Sequence, residues 1–152
     1  MKKNYFHIED KVDLADFFSA LSILSEDGIL ILMGVLNDEI EERLKEFKIS
    51  DIDFPDIGKS FHFSFFKQIK ERDIAIKFDY RTKKILIELS KRIIPNVEVC
   101  SYLYYLKNDK REILEYVVGS DIFISRDIIE NDEIVRDFCR KVGISRYCLE
   151  EF

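Results

Sequence analysis

Tryptophan is absent from this chain, and proline, glycine, histidine and cysteine are scarce, with 2 Pro, 5 Gly, 2 His and 3 Cys among 152 residues. So little proline and glycine, in a chain that is 47% hydrophobic and 36% charged, excludes a collagen-like, low-complexity or wholly disordered polypeptide. The cysteines, Cys100, Cys139 and Cys148, are odd in number and far apart, with no C-x-x-C pair. That spacing excludes a disulfide framework and a zinc ribbon, and points to a reducing, cytoplasmic setting.

Long apolar runs are missing too. The longest, residues 28–36 (GILILMGVL), falls well short of the roughly 20 residues that cross a bilayer. Near the N-terminus, Lys2 and Lys3 resemble the start of a signal peptide, but Glu9 and Asp10 interrupt any apolar segment behind them. No membrane role is expected. Nor do the glycines form a dinucleotide fingerprint. The sequence Gly58-Lys59-Ser60 lacks the earlier glycine of a phosphate-binding loop, because Asp53 holds that place, and it leads into an alternating strand rather than a helix.

The patterns that are present describe one α+β domain over residues 1–152, a largely antiparallel β-meander with about three packed helices. Residues 4–8 make a first strand. Leu14, Phe17, Phe18, Leu21 and Leu24 then recur at helical spacing behind Asp13 as cap. Residues 29–35 are apolar on both faces, as in a central strand. A second helix starts at Asn37, with Asp38 and Glu39 in its first turn and Ile40, Leu44 and Phe47 on its inner face.

From about residue 60 the period changes from 3.6 to 2. The stretch SFHFSFF, residues 60–66, alternates strictly, and residues 74–89 are expected to form a hairpin turning at residues 80–84. A second hairpin, residues 97–106 with 111–118, turns at Asn108 and Asp109, which tolerate left-handed conformations. A strand over residues 120–125 and a helix from Asn131 to the terminator Gly143 complete the expectation.

Charge is uneven. Residues 1–58 hold 6 basic and 14 acidic groups, residues 59–118 hold 13 and 8, and residues 119–152 hold 5 and 8, giving −8, +5 and −3 within a net −6. The basic groups of the middle region lie at turns and strand ends, where charge discourages edge-to-edge pairing. A surface of two signs also steers a partner of complementary pattern.

Chemistry-bearing groups are few. Asp51, Asp53 and Asp56 form a D-x-D type cluster of hard oxygen ligands near His62, the arrangement of a small divalent-metal-dependent hydrolase or transferase. No orienting carboxylate or G-x-S-x-G elbow accompanies His62 in sequence, so catalysis is the second reading. No cofactor is expected. Tyr102 and Tyr104 alternate with Leu103 and project from the opposite side of their strand, as interface anchors do. Together with the acidic helix residues Glu41 and Glu42 they suggest a non-enzymatic cytoplasmic protein-binding module. Such an inhibitor or immunity-type protein neutralises another macromolecule, for instance a basic nucleic-acid-acting enzyme. Direct nucleic-acid binding is disfavoured by a pI near 5.1 and by the lack of an RNP-like or G-x-x-G signature.

Overall fold

The alternating and helical segments assemble into one seven-stranded sheet, in the order β3 (Arg72–Phe78), β2 (Gly28–Val35), β4 (Tyr102–Leu106), β5 (Glu112–Val117), β6 (Asp121–Ser125), β1 (Asn4–Glu9), β7 (Cys148–Glu151), with every neighbouring pair antiparallel. The computed structural model describes residues 4–35, 37–49, 72–93, 99–144 and 148–151. The expected strand at residues 60–66, with His62, lies outside them, as does the loop carrying Asp51, Asp53 and Asp56.

Strand β1 (Asn4–Glu9) leads to α1 (Leu14–Leu24), where Asp13 caps by accepting from the Asp16 amide. Leu14, Ala15, Phe17, Phe18, Ala20, Leu21 and Leu24 of α1 are all buried, because the helix is flanked on both sides by others, α3 (Tyr80–Arg92) and α4 (Asp132–Val142). Strand β2 (Gly28–Val35) is buried along its whole length, next to the edge strand β3 (Arg72–Phe78). Gly34, at φ 69°, lies where the β2–β3 register shifts, and a Cβ there would meet Ser101 Oγ at 2.3 Å. Helix α2 (Asp38–Leu44) begins at the expected cap Asn37 and continues into a single 3₁₀ turn, Lys45–Phe47.

Residues 80–92 depart from the expected hairpin. They form helix α3 (Tyr80–Arg92), which raises the α-helices among the described residues from the expected three to four. Asp79 accepts from the amides of Arg81 and Thr82 while Thr82 Oγ1 accepts from the Asp79 amide at 3.0 Å, a complete capping box. Thr82, Leu86, Leu89 and Ser90 form the buried stripe, and the half-buried Ile85 and Ile87 flank it.

Strands β4 (Tyr102–Leu106), β5 (Glu112–Val117) and β6 (Asp121–Ser125) form the expected meander. In the β4–β5 turn the left-handed residue is Lys110, at φ 71°, rather than Asn108 or Asp109. Helix α4 (Asp132–Val142) runs from Asn131 to a left-handed Gly143, as its sequence predicts. A short strand, β7 (Cys148–Glu151), which the sequence did not announce, pairs with β1.

Helices and sheet enclose a core in which Phe17 packs against Tyr116 at 4.7 Å and Phe138 at 6.1 Å between ring centroids. Burial of each such ring stabilises by roughly 1.5–3 kcal/mol. The reverse face carries a second buried cluster of Ile29, Ile31, Met33, Ala75, Tyr102, Tyr104 and Leu106. Chain direction fixes what meets at each end: α1 and α2 start at the end where β1 and β2 finish, whereas α3 starts at the other end, beside the C-terminus of α1.

Candidate partner-binding surface

The expected tyrosine anchors do not reach solvent. Tyr102 and Tyr104 do point away from Leu103, but both are fully buried, with ring centroids 5.2 Å apart. Tyr102 donates to Glu115 Oε2 at 2.5 Å. Burial, followed by the charge of Glu115, holds the Tyr102 phenol far above its ordinary pKa, so it stays protonated. An alternating strand reveals which residues share a face; it does not reveal whether that face is wet.

The acidic pair on α2 is matched locally. Glu41 faces Lys48 at 3.3 Å, and Glu42 faces Lys45 at 2.7 Å. Such exposed pairs contribute about 0–1 kcal/mol each.

His7 stacks on Phe123 at 4.5 Å and its Nε2 lies 2.8 Å from Asp121 Oδ1, while Ser120 Oγ bonds the other Asp121 oxygen. The order is serine, carboxylate, histidine. Nucleophile activation needs the histidine in the middle, so these three do not form a triad. The thiols of Cys100 and Cys139 are buried, which pushes them up to about 12 and about 11, and they are therefore poor nucleophiles. Among the described residues no group of three or more His, Cys, Asp or Glu side chains could hold a metal ion.

A different surface stands out at the meeting of α1 and α3. Tyr80, the first residue of α3, is 76% exposed, the only large apolar side chain so exposed among the described residues. It lines an open depression of about 360 Å³ with Ser22, Glu26, Asp27, Asp79 and Lys83. Each wall is fixed by its element. Lys83 Nζ reaches across to Ser22 Oγ at 3.1 Å, Asn108 Nδ2 donates to Asp27 Oδ1 at 3.3 Å, and Asp79 is engaged as the α3 cap. Glu26, in the turn after α1, is exposed and has no cationic partner among the described residues.

The charges here run against the helix dipoles. Helices α2 and α4 each carry acids in the first turn and bases in the last. By contrast, α1 has no base in its last turn and is followed by Glu26 and Asp27, while α3 has no acid in its first turn, which instead bears Arg81 and Lys83. The sequence reading places Tyr80 in the hairpin turn at residues 80–84, whereas it is the first residue of a helix. The signal that could have found it was Asp79 followed three residues later by Thr82. No known protein family, curated protein or solved structure matches the chain.

Proposed function

We propose that the protein is a non-enzymatic cytoplasmic binding module of the inhibitor or immunity type, holding a basic macromolecular target on an acidic, tyrosine-bearing surface whose tyrosine is Tyr80. The observation that carries the reading is the exposure of Tyr80 beside Glu26, Asp27 and Asp79. A tyrosine offers large contact area at a small entropy cost, which is why it anchors interfaces. Three carboxylates against one lysine in the lining leave a local charge that attracts cations and speeds encounter with a basic surface.

The test is a pull-down from lysate of the natural source at low and high salt, with protein and nucleic acid both assayed in the bound fraction. Capture of a stoichiometric basic protein should weaken as salt rises, and Tyr80→Ala should reduce affinity by about tenfold or more. Reversal of Glu41 and Glu42 to lysine, made in parallel, measures what α2 adds. Capture that survives Tyr80→Ala undiminished would show that this surface is not the binding face.

A further inference from the structure

The depression between α1 and α3 also specifies which basic side chain it takes. We infer that it receives the guanidinium of an arginine from the target, stacked on the Tyr80 ring and paired with the Glu26 carboxylate; the inference rests on the binding-module reading and names the chemistry of its contact.

Sign comes first. Glu26, Asp27 and Asp79 face Lys83 across the depression, a balance of three negative groups to one positive. An anion entering there would meet the Glu26 and Asp27 carboxylates, which disfavours phosphate and nucleic-acid backbones as occupants. The Arg81 guanidinium pairs with Asp79, so these two charges largely offset each other, and it lies over the Phe47 ring, 5.4 Å from the centroid; Glu26 and Asp27 against Lys83 remain as the open charges.

Availability comes next. Asp79 already accepts from two amides and from Arg81, and Asp27 accepts from Asn108. Glu26 is the carboxylate left with an open hydrogen-bonding capacity toward a new donor. Beside it the exposed Tyr80 presents a ring that packs on no other ring among the described residues, and a cation over a tyrosine face within about 6 Å is attracted by the ring quadrupole.

Geometry then separates arginine from lysine. A guanidinium is flat and weakly hydrated, so it can lie on a ring while its edge makes two parallel bonds to a carboxylate. A lysine ammonium is a compact, strongly hydrated point charge that cannot do both. The protein uses the same pairing internally: the Arg126 guanidinium lies 4.9 Å from the Phe6 ring centroid while also reaching Asp132.

The charge reversal at the helix ends fits this assignment. Acids placed after the C-terminus of α1 raise the energy of the free protein slightly, because they face the negative end of the helix dipole. A bound cation relieves that repulsion. Departures from local stabilising rules tend to gather where a surface is used for binding.

The experiment is an amide-resolved NMR titration of the intact protein with N-acetyl-arginine amide, run beside the uncharged isostere N-acetyl-citrulline amide and N-acetyl-lysine amide. Saturable shifts confined to residues 22–27 and 79–83 are expected with the arginine probe, with Kd on the order of mM. Citrulline should give none, and lysine should bind roughly threefold to fivefold more weakly, the difference a stacked guanidinium contributes at an exposed site. Glu26→Gln and Tyr80→Ala should each weaken the arginine probe, while Tyr80→Phe keeps it. An arginine probe that causes no saturable shift, or one matched by citrulline or lysine, overturns the assignment. If the probe fails while Tyr80→Ala still abolishes capture of the target, the arginine contact is wrong and the binding surface stands. If the probe binds while Tyr80→Ala leaves capture intact, the depression holds guanidinium but the target docks elsewhere.

Discussion

Glu115 is 1% exposed at the middle of the sheet, with Oε2 bonded to Tyr102 and Oε1 buried without a hydrogen-bond partner among the described residues. A carboxylate in that position depends heavily on its single donor, since a buried polar group left unsatisfied costs more than an average hydrogen bond contributes. Tyr102→Phe is therefore expected to destabilise the protein by about 2–3 kcal/mol, whereas in a Glu115→Gln background the same change should cost about 1 kcal/mol, because the remaining partner is neutral. Urea unfolding of the four proteins measures the coupling. Equal losses in both backgrounds would show that Glu115 does not rely on Tyr102. Tyr102 and Tyr104 are thus residues of the buried reverse face of the sheet, where Tyr102 supports Glu115.

At the scale of elements, α3 decides both the fold and the site, and its start depends on Asp79. Partial burial works to raise the Asp79 pKa, but the amides of Thr82 and Arg81 and the Arg81 guanidinium outweigh it and hold the carboxyl below its ordinary range. A folded-state pKa below the unfolded one contributes stability that is present above the ordinary value of about 3.9 and is lost as pH falls through the lowered value. Asp79→Asn keeps an acceptor for the two amides and removes the charge. Wild type should be the more stable at neutral pH, and the gap in thermal midpoints should close on acidification through the carboxylate range. A gap that stays constant across that range would show that the charge contributes nothing. The same helix shows where the sequence was ambiguous. Ile85, Ile87 and Leu89 satisfy a period of 2 while Thr82, Leu86 and Leu89 satisfy 3.6, and only the capping box separates the two. Helices α1, α2 and α4 were legible because each joins a cap to an unbroken apolar stripe. Strand β7 was not, since four residues carry no periodic signal and pair with the far end of the chain. Tyr80 went astray with α3, and the burial of Tyr102 and Tyr104 required knowledge of the reverse face of the sheet.

For the whole molecule, the uneven charge along the chain resolves into alternating helix ends. The N-termini of α1 and α2 bring Asp16, Asp38 and Glu39 to one end of the sheet, and the C-termini of α3 and α4 bring Lys91, Arg92, Arg140 and Lys141. Arg92 pairs with Glu39 and Arg43 with Glu88, so α2 and α3 are tied by charges of opposite sign. Among the described helices, most of the charge pattern is thus accounted for by dipoles and neighbouring helices, and the exceptions lie at the turn after α1 and the start of α3. Stability and binding should conflict at that one place. Glu26→Lys would put a cation at the negative end of α1 and is expected to stabilise by roughly 0.3–1 kcal/mol at low ionic strength, an effect that salt screens. In a chain of this size that corresponds to a rise in Tm of about 1–4 °C. The same substitution removes the acceptor proposed for the target's arginine, so affinity should fall as stability rises. Calorimetry and a binding assay on one preparation test both. A variant that binds as well as wild type would remove Glu26 from the interface, and one that loses both stability and binding would show that Glu26 supports the turn rather than the contact.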